Sequence, residues 1–309
     1  MAVTAFFCTF VARKKTRIMK ILVTGANGQL GNELRKVLEK ERPGITDYVD
    51  VADLDITEAD AVNTFVENGG YSHIINCAAY TAVDRAEEDK SLCMAVNVTG
   101  VRNLASAAAE NGVRMLHVST DYVFDGNTCH AYKESDKPAP QSVYGNTKRA
   151  GETVLMGLCP DAIIVRTGWL YSSFGNNFVK TMLRLGREKG AISVVCDQIG
   201  TPTYAADLAR MIATIVLSPR WVEGTFHFSD EGVASWYDFA CAIMDLSGLG
   251  DKVTVRPITT PDYPTPATRP VFSVLDKTKV KATYGVTIPH WRTSLAKCLS
   301  IINKNNNGQ

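Results

Sequence analysis

The chain has 309 residues, with 33 Lys and Arg against 32 Asp and Glu, for a net charge of +1. At roughly 150 residues per domain this length predicts two lobes, and the near-neutral balance argues against nucleic acid as a partner, because a phosphate backbone demands a basic excess. Hydrophobic residues make up 45% and charged residues 21%, which excludes a disordered chain.

Residues 1–18 read as a disordered extension. The apolar start Met1–Phe10 is followed, not preceded, by Arg13, Lys14, Lys15 and Arg17, the wrong order for a secretory signal. No apolar run reaches the ~18 residues of a membrane span, so no membrane partner is predicted. Lys20–Thr24 is a short apolar strand ending in a glycine loop, and Leu30, Leu34, Val37 and Leu38 then follow helical spacing. A strand near Tyr48–Val51, a helix over Glu58–Asn68 and a strand at His73–Cys77 come next. An alanine-rich helix spans Ser91–Asn111, a strand Val113–Ser119, a helix Ser142–Leu158 and a strand Ala162–Arg166. Strand and helix in alternation predict an α/β fold, a doubly wound parallel sheet covered on both faces.

The second half is less regular and predicts a smaller, irregular α/β substrate domain. Helices are expected at Asn177–Lys189, Ala205–Leu217 and Trp236–Leu246, the last with Ser235 as N-cap, and a strand at Ile192–Val195. Five prolines between Pro257 and Pro270 speak against any regular element there. The asparagine-rich end reads as a disordered tail over 302–309. The expected organisation is a dinucleotide-binding domain over 19–170, with returning elements near 192–217, and a substrate-side domain from 171–191 and 218–301.

Gly25, Gly28 and Gly31 sit between the first strand and the first helix. The first permits the turn off the strand, the second lets backbone N–H groups approach a pyrophosphate, and the third lets the helix pack close to the sheet. With the helix N-terminus adding positive potential, the loop predicts a Rossmann-type dinucleotide site. Asp50, 19 positions beyond Gly31, suits an acid on the adenosine ribose. Asp55 and Ile56 follow as candidates for the adenine edge. No arginine lies between Thr46 and Thr57 to clamp a 2′-phosphate; this leans toward NADH without excluding NADPH.

Tyr144 and Lys148, four residues apart on one helix, share a face. A neighbouring ammonium favours phenolate, so the expectation is a phenol tuned toward neutrality that protonates a carbonyl oxygen as hydride reaches its carbon. Thr120, where the Val113–Ser119 strand ends, adds a hydroxyl at the edge of a ligand crevice.

The order of glycine loop, strand-end hydroxyl and Tyr-x-x-x-Lys resembles the extended short-chain dehydrogenase/reductase family. Asn76–Asp84, Ser119–Phe124, Tyr144–Glu152, Arg166–Tyr171, Asn176–Met182, Asp197–Thr203 and Tyr263–Pro270 narrow it to the branch that reduces the C4 ketone of dTDP-linked 6-deoxysugars. The resemblance implies NADPH or NADH as cofactor and a small-molecule nucleotide sugar as partner. It implies Tyr144 as proton donor, Lys148 on the nicotinamide ribose, and Thr120 adjusting the tyrosine and, with Asp121, holding the sugar. It further implies Gly28, Gln29 and Leu30 at the pyrophosphate, Ala79, Tyr80 and Thr81 along the cofactor channel, Trp169 beside the sugar or its nucleotide, and Asn177 and Arg269 at the diphosphate.

Gly168 departs from the pattern, which has a small hydroxyl residue there. Tyr122 stands where the dehydratases of the superfamily carry an acid, so water expulsion is not expected. An epimerase stays open, as does a regulatory subunit resembling that of methionine adenosyltransferase, which would bind NADP without turnover. Some members of the family resemble metal-bridged dimers through acids near Glu87 and Glu88. Here those acids read as a solvated helix start, so no metal is predicted, although Mg2+ stays open, as does a homodimer. The eight cysteines contain no Cys-x-x-Cys pair and the five histidines are scattered, which suits reduced thiols in a cytoplasmic protein.

Overall fold

The computed structural model describes residues 19–307; the expectation for residues 1–18 lies outside them. The first half comprises β1 (Ile21–Thr24), α1 (Gln29–Glu41), β2 (Thr46–Val49), α2 (Ala59–Gly69), β3 (His73–Asn76), α3 (Lys90–Met94), α4 (Val101–Asn111), β4 (Arg114–Thr120), α5 (Val143–Leu158) and β5 (Ile163–Thr167). The second half comprises β6 (Leu170–Tyr171), α6 (Phe178–Glu188), β7 (Ala191–Val195), β8 (Ile199–Gly200), β9 (Thr203–Tyr204), α7 (Ala205–Leu217), β10 (Gly224–His227), β11 (Ala234–Ser235), α8 (Trp236–Leu246), β12 (Thr254–Ile258), α9 (Thr278–Tyr284) and α10 (Trp291–Asn307).

Six strands form a parallel sheet in the order β10-β5-β4-β3-β1-β2. Its inner strands β5, β4, β3 and β1 are largely buried, as their apolar runs require. Ile21 and Val23 pack with Leu30, Leu34 and Ile212 of α1 and α7. Leu22, pointing the other way, packs with Val62, Leu104 and Leu155 of α2, α4 and α5. A second core joins Val179 and Leu183 of α6, Phe239 and Ile243 of α8, Ile192 and Val194 of β7, and Leu295 and Leu299 of α10.

Several expectations are corrected. β2 ends at Val49 rather than Val51, because the Asp50 carbonyl accepts from the N–H groups of Asp53 and Leu54 and turns the chain. Gly224–His227, expected on the substrate side, extends the main sheet beside β5, whereas Ile192–Val195, expected to return to it, pairs with β12 in the second core. Pro257 lies inside β12, in a two-stranded sheet whose open edges tolerate a missing N–H. The C-terminal segment is helical through Asn307 rather than disordered from 302: burial of Leu295, Cys298, Leu299 and Ile302 carries the helix into its polar end. No helix among the described residues is long and apolar enough to cross a membrane.

Candidate active site

The sheet order reverses between β1 and β3, and a cleft of about 960 Å³ opens over the carboxyl ends of the strands. That is where a doubly wound sheet leaves room for a ligand. Each residue singled out from the sequence borders it, from Gly25 on the β1 loop to Arg269 on the proline-rich segment.

The glycine loop has the form a pyrophosphate requires. Gly25 has φ +68, and a Cβ there would stand 2.6 Å from the Ala78 nitrogen. A Cβ on Gly31 would stand 2.5 Å from the Ala26 Cα, so only glycine lets α1 approach the loop. Gly28, the N-cap of α1, supplies no side-chain cap. The first-turn N–H groups of Gln29, Leu30 and Gly31 therefore lack that partner at the positive end of the helix dipole. These features fit a dinucleotide.

Asp50 braces this loop: its Oδ2 accepts from the Asn27 N–H at 2.8 Å. Asp55 Oδ1 accepts from the Thr57 N–H and hydroxyl, and Ile56 is 6% exposed, with its side chain where a Cβ on Gly100 would fall. Ala79, Tyr80 and Thr81 are held through Asn97, whose amide exchanges hydrogen bonds with the Tyr80 N–H (2.9 Å) and carbonyl (3.1 Å).

Tyr144 enters the cleft from the first turn of α5, which Ser142 caps by accepting from the Gly145 N–H. The phenol is pushed up from its ordinary value by burial, while Thr120 acts the other way. The direction is thus opposite to the expected tuning toward neutrality, because desolvation of a phenolate outweighs the hydrogen bond. Lys148 donates to the Val118 carbonyl at 2.7 Å. Burial lowers its amine to about 8 against the pull of Glu152, Cys77 and Cys93. Thr120 donates to Asp121 at 3.0 Å, and burial raises the Asp121 carboxyl to about 6 against hydrogen bonds from Ser273 and Thr120.

Gly168 now has a physical account. A Cβ there would stand 2.4 Å from Asp121 Oδ2, so a hydroxyl residue would displace this carboxylate. Trp169 follows with φ +52, the one described non-glycine residue at positive φ, and stacks on Trp236 with centroids 3.5 Å apart. Asn177 caps α6 through the Lys180 N–H and donates to Gln29 at 2.9 Å. Arg269 reaches Asp84 at 2.6 Å and the Tyr122 hydroxyl at 3.1 Å.

Two residues, Asn97 and Glu152, were given no role from the sequence, and a third, Glu87, was misread. Asn97 lies in a π-helical segment, Ala95–Gly100, joining α3 to α4, a distortion often found at functional sites; its one signal in the sequence was an amide within an alanine-rich helix. Glu152 is fully buried and bidentate to Arg166, at 2.8 and 2.7 Å, pinning α5 to β5. Glu87, expected in a solvated helix start, instead accepts from the Val143 N–H at the start of α5. Among the described residues no group of three His, Cys, Asp or Glu is placed to hold a metal ion.

Fold and cleft define the class: a dinucleotide-binding α/β protein with a phenol, a hydroxyl and an amine gathered beyond the glycine loop, the arrangement of the extended short-chain dehydrogenase/reductases. The family model for the RmlD substrate binding domain matches residues 19–304. The dTDP-4-dehydrorhamnose reductase of Aggregatibacter actinomycetemcomitans is 44% identical over 285 residues, 89% of this chain and 97% of that protein. The crystal structure of a dTDP-4-dehydrorhamnose reductase from Clostridium acetobutylicum matches with TM-score 0.88 at 45% identity, covering 92% of this chain and 100% of that one. That of the Bacillus anthracis enzyme, in complex with NADP, matches with TM-score 0.87 at 40% identity, covering 92% and 99%. The chain belongs to the RmlD family of dTDP-4-dehydrorhamnose reductases.

Proposed function

We propose that this chain reduces the C4 ketone of dTDP-4-dehydro-L-rhamnose to give dTDP-L-rhamnose, at the expense of NADPH or NADH. The observation that carries the reading is the convergence of the glycine loop with Thr120, Tyr144 and Lys148 on one cleft. The names of the relatives above and the NADP in one of them point the same way.

The reduced nicotinamide, when bound, supplies the hydride. Tyr144 gives its phenolic proton to the C4 oxygen, so the ketone gains one hydride and one proton. A phenol is protonated at neutral pH, the state a donor must start in. Lys148 holds the nicotinamide ribose. Thr120 and Asp121 hold the sugar, and Trp169 packs against it or its nucleotide. Arg269 and Asn177 border the diphosphate. Gly28, Gln29 and Leu30 take the cofactor pyrophosphate, Asp50 its adenosine ribose, Asp55 and Ile56 its adenine edge, and Ala79, Tyr80 and Thr81 line its channel. Residues 171–191 and 218–301, β10 apart, supply most of the nucleotide-sugar side. We place the reaction in the cytoplasm, a reading supported by seven free cysteines among the described residues.

The test is to mix purified protein with the keto sugar and each nicotinamide and follow the absorbance of the reduced cofactor. Substrate-dependent oxidation with formation of the 4-hydroxy sugar is expected; binding of NADP without turnover would contradict the reading.

A further inference from the structure

Behind the cleft a line of buried polar groups runs from β1 to the catalytic helix. Asn76 Oδ1 accepts from the Thr24 hydroxyl at 2.7 Å and the Ala78 N–H at 3.0 Å. Asn76 Nδ2 lies 3.1 Å from His117 Nδ1, and His117 Nε2 lies 3.3 Å from Lys148 Nζ. Asn76 and His117 are fully buried.

The donors and acceptors along this line are not free to choose. A backbone N–H can only donate, so Ala78 fixes the Asn76 oxygen on its own side and leaves the Asn76 NH₂ to face His117. That NH₂ donates, so His117 Nδ1 must be bare. Burial pushes the imidazole well below its ordinary value, so it is neutral and its one proton sits on Nε2. The Nε2–H then faces Lys148, whose ammonium form has only donors to offer, whereas its neutral amine has a lone pair. With a neutral amine the bonds run in one direction from Asn76 through His117 to Lys148 and on to the Val118 carbonyl. With an ammonium, two donors meet in a buried site.

We propose that Asn76 and His117 are positioning residues for Lys148: Asn76 locks His117 in the Nε2–H tautomer, and this N–H disfavours the charged form of the amine. The inference rests on Lys148 being the catalytic lysine of the reading above. The other groups acting on the amine are Glu152 of α5, Cys77 beyond β3 and Cys93 of α3, which all favour the charge, against burial, which opposes it.

The experiment needs no turnover, so its failure is distinguishable from failure of the assigned activity. A long-range 15N–1H spectrum of histidine-labelled protein, with His117 assigned by loss of its signals in His117→Phe, should show a bare Nδ1 and a protonated Nε2. A protonated Nδ1 would overturn the proposal. The 13Cε shift of Lys148 in lysine-labelled protein, assigned with Lys148→Met, then reports its midpoint. Asn76→Asp turns the Asn76 donor into an acceptor and moves the His117 proton to Nδ1, presenting a lone pair to Lys148. The Lys148 midpoint should rise by about one pH unit or more, a tenfold change in its proton affinity. In the His117→Phe background the carboxylate of Asn76→Asp remains but the ring nitrogens are gone, and the rise it adds there, measured against His117→Phe alone, should fall below half. An unchanged midpoint in Asn76→Asp, or an equal added rise in the His117→Phe background, would overturn the proposal.

Discussion

The Arg269 guanidinium meets the Asp84 carboxylate at 2.6 Å and the Tyr122 hydroxyl at 3.1 Å. This joins the proline-rich segment of the second half to the β3 side of the cleft, and Ala267 adds an N–H to Asp84 at 3.3 Å. The planar fork of arginine reaches both partners, and a lysine point charge cannot reproduce that geometry. Arg269→Lys should therefore raise the KM for the nucleotide sugar by about tenfold, the loss of one charge-assisted bond, with kcat little changed. Steady-state kinetics with varied sugar checks this; an unchanged KM would show that the fork does not shape the mouth.

We propose that cofactor choice turns on Asp50, whose carboxylate braces the glycine loop through the Asn27 N–H. A negative charge at the end of β2 opposes a 2′-phosphate. Asp50→Asn keeps an acceptor for Asn27 and removes the charge, so the NADPH to NADH ratio of kcat/KM should rise about tenfold. Parallel assays with the two nicotinamides provide the readout.

Much of this site was legible in the sequence because it is local. The glycine loop, the strand-end Thr120 and the Tyr144–Lys148 spacing each depend on a few consecutive residues whose backbone geometry follows from type and position. What was not legible depends on distant partners. The four residues Gly224–His227 carry too little periodicity to announce a strand; pairing with Ile163–Arg166 makes them one. Asn177 and Arg269 border the cleft, and their polar atoms bind Gln29, Asp84 and Tyr122, residues up to 185 positions away. The upward shift of Tyr144 likewise comes from burial that no spacing rule expresses.

The buried pair of Glu152 and Arg166 anchors α5 to the sheet. Removing one partner leaves the other charge buried and uncompensated, so Glu152→Leu should cost about 3–5 kcal/mol. Arg149 touches the same carboxylate from a 40% exposed position, and Arg149→Ala should cost less than about 1 kcal/mol. Urea unfolding of both variants separates the two values.

Asp230 gives a pH dependence of stability. Its Oδ2 accepts from the Tyr204 N–H at 3.1 Å, and burial pushes its carboxyl up from 3.8 to about 7 against that bond. Between these values the folded protein holds a proton that the unfolded chain releases. The contribution of Asp230 is therefore most favourable below about pH 4 and is lost as pH rises through 7. Asp230→Asn should raise Tm relative to the parent more at pH 8 than at pH 5. Equal differences at the two pH values would contradict the assignment.

The central claim is proton donation by Tyr144, and single-turnover reduction of the keto sugar by Tyr144→Phe, with NADPH affinity measured alongside, tests it most directly. The account predicts a rate lower by about 10²-fold or more with cofactor affinity unchanged; reduction at the parent's rate would contradict it.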